Sequence, residues 1–305
     1  MAHAPVPAAV PFLPVAEQIS GEALLAWRRQ QIEIGGRPAD FDWLLDLAGG
    51  VGWAELQRLR LSPGRVVPLR LGRPGLEALW ARHLRHHEPL QYLVGLCPWR
   101  DLEVLVAPGV LIPRQETELL IDLVLAGGAS PGLWADLGTG SGCLAVALGR
   151  TFPAAAGLAV DLSAEALAQA AANLAHHGLR DRVALHHGSW WEPLRTWWGQ
   201  VDLAVANPPY IPTAVLAGLE PLVRDHEPSL ALDGGADGLA AIRAVVAGAP
   251  HALAPGGRVL IEHHHDQSEA VLKLLEQVGL REILPHHDLE GIARFASARR
   301  PEQGR

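Results

Sequence analysis

Apolar residues recur at three- and four-residue spacings through the first third of the chain, which predicts amphipathic helices. Glycine and proline pairs interrupt this pattern and divide it into separate segments. The helical segments are centred on Leu24–Trp27, Phe41–Leu47 and Leu76–Leu84. We therefore predict a small all-helical domain over residues 17–90. The preceding residues, 1–16, are rich in alanine and proline and are expected to form a flexible tail.

The pattern changes to a period of two between Tyr92 and Ile112, where Leu102–Val106 alternates apolar and polar residues before Pro108-Gly109. This predicts a β-hairpin linker over residues 91–113. Strand and helix patterns then alternate over residues 114–300, which predicts an α/β domain with a mostly parallel sheet and helices on both faces. The predicted strands are 133–137, 158–161, 183–186, 201–206 and 258–262, with two more near 282 and 294–298.

Composition narrows the possible function classes. Hydrophobic residues make up 49% of the 305 residues and charged residues 19%, which fits a folded protein with a sizeable core. The net charge of −8 gives no sign of a phosphate-binding face, so direct nucleic-acid binding is not expected. Two cysteines without a CxxC pair, no secretory leader and no apolar run of about 18 residues predict a cytoplasmic protein without membrane contact.

A glycine-rich loop follows the strand at 133–137 and precedes a predicted helix. Gly138, Thr139, Gly140, Ser141 and Gly142 can make a tight turn and let a ligand approach the backbone at the helix N-terminus. The spacing is GxGxG and not GxGxxG, which favours S-adenosylmethionine over a dinucleotide and makes a nicotinamide dehydrogenase a poor alternative.

Two aspartates and a tryptophan complete the predicted cofactor site. Asp161 ends the next strand, where a carboxylate can bind the ribose hydroxyls of a nucleoside. Asp136 has two equal interpretations, since it can reach the methionine portion of the cofactor or only brace the loop. Trp190 can stack on adenine, although the neighbouring Trp191, Trp197 and Trp198 show that ordinary packing is an even alternative.

An Asn-Pro-Pro-Tyr motif, Asn207 to Tyr210, follows the strand at 201–206 and should face the glycine loop. A planar amide or aromatic amino nitrogen is a poor nucleophile, so two acceptors are needed to bind its N–H groups and aim its lone pair. The Asn207 side-chain oxygen and the Pro208 carbonyl can supply them. Pro208 and Pro209 hold the backbone rigid, and Tyr210 can pack on the target group.

At this point the sequence resembles the release factor glutamine methyltransferases (the HemK/PrmC family). The resemblance rests on the motif together with 88–95 (Glu-Pro-Leu-Gln-Tyr-Leu-Val-Gly), 110–118 (Val-Leu-Ile-Pro-Arg-Gln-Glu-Thr-Glu) and 226–235 (His-Glu-Pro-Ser-Leu-Ala-Leu-Asp-Gly-Gly). It implies a Rossmann-like, seven-stranded class I methyltransferase domain preceded by the helical domain and the hairpin linker. It also implies methyl transfer from S-adenosyl-L-methionine to the glutamine of a Gly-Gly-Gln loop in peptide chain release factors.

The resemblance carries specific residues. Gly138 to Gly142, Asp161, Trp190 and Asn207 would contact the cofactor, and Asn207, Pro208, Pro209 and Tyr210 would hold the glutamine. The chain departs from the family pattern at Gln115, where proline or aspartate is frequent. It also departs at Ser189, a position that is frequently acidic.

Several alternatives stay open. Arg114, Glu116 and Glu118 can line the substrate mouth or cap a helix, and Glu227 can brace the active site or lie in a surface loop. The run His263–His265 points to opposite sides of a strand end, so we expect no metal site. A DNA or ribosomal RNA amino-methyltransferase is the nearest rival enzyme, but it would need a basic recognition region. A cofactor-binding module without activity is the remaining alternative.

Overall fold

The computed structural model describes residues 14–302, so most of the expected tail over 1–16 lies outside the described residues. The chain forms two compact units. The first runs to Cys97 and also takes in Leu105–Ala107 and Pro221–His226. The second contains the remaining residues, from Pro98 onward.

The first unit is built mainly from helices packed around an apolar core. Ser20 caps the first helix, because its side chain accepts a hydrogen bond from the backbone N–H of Ala23 at 3.3 Å. Phe41 and Trp80 are fully buried and meet edge to face, with ring centroids 5.1 Å apart. The helices are α1 (Gly21–Ile34), α2 (Pro38–Leu44, continued by a π-helical turn over Leu45–Gly49), α3 (Trp53–Leu61), α4 (Gly72–His86) and α5 (Leu90–Val94).

The first unit also contains a two-stranded antiparallel sheet that the all-helical description omits. Its strands are β1 (Glu17–Ser20) and β2 (Val66–Leu69). Each strand has only four residues, too few to give a clear alternating pattern, and the β-branched Val66 and Val67 lie in the gap between two helical segments. The two strands are extended because they pair with each other, although they lie far apart in the sequence.

The predicted hairpin is present but is shorter than expected. Its strands are β3 (Leu96–Trp99) and β4 (Leu102–Leu105), and the turn between them places Arg100 at a φ of 53°. Residues 91–94, the start of the expected linker, are helical. The Pro108-Gly109 pair lies beyond the hairpin, with Gly109 at a φ of 93°.

The second unit contains a seven-stranded sheet in the order β10-β11-β9-β8-β5-β6-β7. Strands β5 to β9 pair in parallel, while β11 pairs antiparallel with both β9 and β10. The bounds are β5 (Leu133–Leu137), β6 (Ala156–Asp161), β7 (Val183–His187), β8 (Val201–Ala206), β9 (Leu253–Glu262), β10 (Arg281–His287) and β11 (Ala293–Arg299). The seven predicted strands and the α/β class are confirmed.

Helices alternate with these strands, as the sequence predicts. They are α6 (Leu119–Ala126, after a 3₁₀ turn over Glu116–Glu118), α7 (Cys143–Thr151), α8 (Ala164–His176), α10 (Ala240–Ala252) and α11 (Ser268–Gln277), while the short α9 (Pro221–Arg224) belongs to the first unit. The central strands are apolar toward both faces, and Ala135, Leu137, Ala204 and Val205 are fully buried. Across residues 14–302, every helix is too short or too polar to pass through a membrane.

Candidate active site

The second unit contains a cavity of about 590 Å³ whose wall includes residues that follow β5, β6, β7 and β8. The carboxyl ends of parallel strands meet at one edge of a sheet, so residues far apart in sequence come together there. Of the residues singled out from the sequence, Gly138, Gly140, Asp161, Trp190, Asn207 and Pro209 lie in the wall. Segments from Pro108 to Leu111 and from Pro228 to Ala231 also contribute to the wall.

The glycine loop has a backbone conformation that requires its glycines. Gly138, Gly140 and Gly142 have φ values of 76°, 55° and 83°, in the region that residues with a Cβ rarely adopt. An ideal Cβ at Gly140 would have no other heavy atom within 4 Å, so this glycine is needed for its conformation alone. The backbone N–H groups of Gly138 and Thr139 both donate to the Val160 carbonyl at 2.9 Å, which ties the loop to β6.

Asp161 both supports the glycine loop and lines the cavity. Its Oδ2 accepts a hydrogen bond from the Gly140 N–H at 2.8 Å, and its Oδ1 accepts one from the Ser163 N–H at 2.9 Å. It therefore holds the tip of the glycine loop while it lines the cavity. Burial raises the pKa of this carboxyl, although the backbone N–H groups oppose the shift.

Asp136 lies beneath the glycine loop and is fully buried. The Thr139 hydroxyl donates to its Oδ2 at 2.6 Å, which is the bracing contact that the sequence left as one of two interpretations. Its other oxygen, Oδ1, has no hydrogen-bond partner among residues 14–302. Burial raises the pKa of Asp136 to about 7, and the negative charge of Asp161 contributes in the same direction.

The remaining loop residues lie behind the surface of the loop that faces the cavity. Thr139 and Ser141 are buried, and the Ser141 carbonyl accepts a hydrogen bond from Asn173 Nδ2 at 2.8 Å. A Cβ added to Gly142 would come within 3.1 Å of Ala170 on α8. These residues fix how α7 and α8 pack, and this places Gly138 and Gly140 toward the cavity.

The two adjacent tryptophans after β7 have different surroundings. Trp191 is buried, and its indole N–H donates to the Val245 carbonyl at 2.7 Å, so it is a core residue. Trp190 instead lines the cavity and has a φ of 48°, an unusual backbone conformation for a bulky residue. A Cβ at Gly138 would lie 3.1 Å from the Trp190 ring, which shows how close the ring is to the loop.

Asn207, the first residue of the Asn-Pro-Pro-Tyr motif, projects from the end of β8 into the cavity wall. Its Nδ2 donates to the Thr117 hydroxyl oxygen at 2.8 Å. Because Thr117 engages the nitrogen, the amide oxygen is the end of the side chain that remains to face the cavity. At the other end of the motif, the Tyr210 carbonyl accepts a hydrogen bond from Gln267 Nε2 at 3.0 Å.

A buried carboxyl group also lies beneath this motif. Glu262 ends β9 and is 2% exposed, although the run before it is entirely apolar. Burial raises the pKa of Glu262 to about 7, while interactions with the Thr117 and Tyr210 hydroxyls act in the opposite direction. Burial, and after it the Glu262 charge, raise the pKa of the Tyr210 phenol.

Sequence reasoning did not single out Thr117, Glu262 or Gln267. Thr117 lies within the segment that carries the family resemblance, but nothing in its type distinguishes it from its neighbours. Glu262 did offer a signal, since a carboxylate that directly continues Val259-Leu260-Ile261 is unusual for the end of a buried strand.

The contacts of Glu227 and Glu118 show what each of these charged residues binds. Glu227 is buried, and its Oε2 accepts a hydrogen bond from Arg114 at 2.9 Å, so it does not lie in an exposed loop. Glu118 accepts a hydrogen bond from the backbone N–H of Arg100 at 2.8 Å, which attaches the start of α6 to the hairpin turn.

Within residues 14–302, no group of three or more metal-ligating side chains is arranged to hold a metal ion.

Comparison with known proteins adds independent information. Residues 115–219 match the Methyltransferase small domain family. The chain is 51% identical over 286 residues to the release factor glutamine methyltransferase of Prochlorococcus marinus, covering 92% of this chain and 98% of that protein. It is 42% identical over 296 residues to the protein of the same name from Synechocystis sp., covering 92% and 97% of the two chains.

A likeness to a solved structure concerns the fold. The hMettl16 catalytic domain, solved in complex with a MAT2A 3′UTR hairpin, superimposes with a TM-score of 0.53 at 16% identity. The match covers 79% of this chain and 86% of that chain. At this identity the likeness concerns the fold alone.

Proposed function

This chain belongs to the release factor glutamine methyltransferase family, and we propose that it transfers a methyl group from S-adenosylmethionine to the side-chain amide nitrogen of a glutamine in a peptide chain release factor. The proposed target is the glutamine of the Gly-Gly-Gln loop. The observation that carries the proposal is the position of Asn207, which lines the same cavity as the glycine loop and Asp161 and whose Nδ2 is bound to Thr117, leaving its amide oxygen to accept an N–H group. The proposed substrate places the protein in the cytoplasm, where translation terminates.

The cavity fits S-adenosylmethionine as the methyl donor. Gly138 and Gly140 leave the backbone open beside the cavity, and Asp161 and Trp190 line it at positions suited to ribose hydroxyls and a purine ring. Thr139, Ser141 and Gly142 would support this site from behind. When bound, this cofactor supplies a methyl group made electrophilic by the adjacent sulfonium.

The chain's own residues then position the acceptor. We expect the Asn207 side-chain oxygen and the Pro208 carbonyl to accept the two N–H groups of the glutamine amide, which directs its nitrogen lone pair toward the methyl group. Pro208 and Pro209 limit backbone motion, and Tyr210 packs on the planar amide. The amide nitrogen becomes acidic as it is methylated and releases a proton, so no strong base is needed beforehand.

We propose that the first compact unit carries the surface that binds the release factor. Trp53 is 69% exposed and Leu61 86%, so large apolar side chains at both ends of α3 are available to a protein partner. We retain the boundaries 17–90 for this domain, 91–113 for the linker and 114–300 for the methyltransferase domain as working limits for truncation experiments.

Methyl transfer from labelled S-adenosylmethionine would test the substrate class. Purified release factor, ribosomal RNA and DNA would each be incubated with the full chain, together with a release factor in which the Gly-Gly-Gln glutamine is replaced by alanine. We expect label in the intact release factor alone. Label in either nucleic acid, or equal label in the two release factors, would contradict the proposed substrate.

A further inference from the structure

The polarity of the Asn207 side chain decides whether the motif can bind an amide substrate. One end of this side chain donates hydrogen bonds and the other accepts them. Only the oxygen can accept an N–H from a substrate amide, so a flipped Asn207 would present the wrong group. The hydrogen bond from Nδ2 to Thr117 at 2.8 Å corresponds to the productive orientation.

Thr117 alone does not enforce this orientation, because a hydroxyl can both donate and accept. If the Thr117 hydrogen pointed at Asn207, the amide oxygen would turn toward it and away from the cavity. Thr117 is 3% exposed, so water does not readily take up that hydrogen. A second acceptor must face the Thr117 hydroxyl for the orientation to be unique.

Glu262 is placed to be that acceptor. In the parallel pairing of β8 with β9, Ala206 lies opposite Ile261, so Asn207 and Glu262 follow at adjacent strand ends. The Glu262 carboxyl interacts with the hydroxyls of Thr117 and Tyr210. Its Oε2 is buried without a hydrogen-bond partner among the described residues. The cost of burying such a group indicates a requirement beyond packing.

We propose that Glu262 is a positioning residue of the methyl-transfer site. Through the Thr117 hydroxyl it keeps the Asn207 oxygen directed toward the cavity. Through the Tyr210 hydroxyl it holds the other end of the motif. The consequence for catalysis rests on the proposed function. The orientation of Asn207 itself is a property of the free protein and can be measured without any substrate.

The same arrangement predicts a pH dependence. An ionised Glu262 accepts hydrogen bonds from both hydroxyls, whereas a protonated one loses an acceptor. The charged and titratable groups around it are Glu116 before α6, Arg294 on β11 and Tyr210 after β8. Since burial raises the pKa of Glu262 to about 7, kcat should rise with pH through neutrality. This rise should be absent in Glu262→Gln.

The sequence offers a direct probe, because Asn173 and Asn207 are its only asparagines. Labelling the full chain with ¹⁵N-asparagine gives two side-chain amide signals in an NMR spectrum. Asn173 is buried and donates to Ser141, and it therefore reports whether the fold is intact. We expect Thr117→Val, which keeps the shape and removes the hydroxyl, to shift the Asn207 signal and speed its exchange with solvent. Thr117→Ser should restore the wild-type signal.

The kinetic counterpart uses the same variants with a release factor as substrate. We expect Thr117→Val and Glu262→Gln to lower kcat by about 10- to 100-fold, with KM for the release factor changed by less than about threefold, because misorientation affects the reacting geometry more than docking. Thr117→Ser should stay within about threefold of wild type.

Two results would overturn the proposal. One is an Asn207 signal that stays unchanged in both Thr117→Val and Glu262→Gln while the Asn173 signal shows an intact fold. The other is a wild-type kcat in those variants. If the wild-type protein failed to methylate any release factor, the proposed function would fall, but the NMR comparison would still decide the positioning role.

Discussion

The two loops that line the cavity keep their shapes by different means. The glycine loop after β5 depends on backbone conformation, with three glycines at positive φ and two N–H groups bonded to one carbonyl. The Asn-Pro-Pro-Tyr segment after β8 depends on side chains, since its ends are held by Thr117 and Gln267. Each loop lies over a buried carboxyl group whose pKa is raised to about 7, Asp136 in the first case and Glu262 in the second.

This difference indicates how each loop should respond to substitution. A loop held by its backbone changes conformation when a substitution adds a Cβ to one of its glycines or removes the acceptor of one of its N–H groups. Such a substitution should weaken cofactor binding. A loop held by side-chain contacts keeps its backbone conformation when one contact is removed, but it then presents the wrong polar group to the substrate. Such a substitution should lower the rate of methyl transfer.

The largest effect on the glycine loop should come from Asp161→Ala. It removes the acceptor of the Gly140 N–H and a group that lines the cavity, so we expect the affinity for S-adenosylmethionine to fall about 100-fold. Calorimetric titration would measure this. Asp202→Ala is a matched control, because Asp202 also accepts two backbone N–H groups, from Gly132 and Leu133, outside the cavity wall. Equal losses of affinity in both variants would contradict the role assigned to Asp161.

A smaller effect is expected for Asp136→Asn, which keeps an acceptor for Thr139 and removes the buried charge. Folded Asp136 keeps its proton up to about pH 7, while an unfolded aspartate loses it near pH 4. The folded chain therefore holds more protons in this window, and its stability falls as pH rises. Urea unfolding should show the advantage of the variant over wild type growing by more than about 1 kcal/mol as pH rises from 4 to above 7, with little difference near pH 4. A difference that does not change with pH would rule out a buried charge as the cause.

The smallest effect concerns the conformation of a single glycine. Gly138→Ala and Gly178→Ala both place a Cβ at positive φ, 76° and 68°, and each should cost about 1 kcal/mol of folding free energy. At Gly138 the Cβ would also lie 3.1 Å from the Trp190 ring, whereas Gly178 has open space. We therefore expect a further loss of affinity for S-adenosylmethionine, about tenfold, at Gly138 alone. Equal affinities would show that contact with Trp190 is unimportant.

The sequence was sufficient to predict the parts of the fold that depend on local pattern. β8 has the predicted bounds, and the carboxyl-end rule for parallel strands correctly brings Gly138, Asp161 and Asn207 to one cavity. The pairing of β1 with β2 was not predictable, because its four-residue strands are joined only by long-range contacts. Residues 91–94 are helical although they were assigned to the linker, since the helix Leu90–Val94 has only five residues, too few to show a helical period.

The supporting contacts of the motif were beyond sequence reasoning for a physical reason. Thr117 lies ninety residues before Asn207, and their contact depends on how the turn before α6 packs on the end of β8. The separation of Trp190 from Trp191 likewise follows from the φ of 48° at Trp190, which turns one ring to the cavity and leaves the other in the core. Residue type and spacing do not specify either feature.

Site-localised mass spectrometry tests most directly whether the motif delivers a glutamine amide to the cofactor site. A release factor would be incubated with S-adenosylmethionine and either the wild-type chain or Asn207→Ala. We predict one methyl group on the Gly-Gly-Gln glutamine with wild type and at least about a 100-fold lower rate with the variant at saturating S-adenosylmethionine. A methyl group on another residue, or equal rates for the two proteins, would contradict the account.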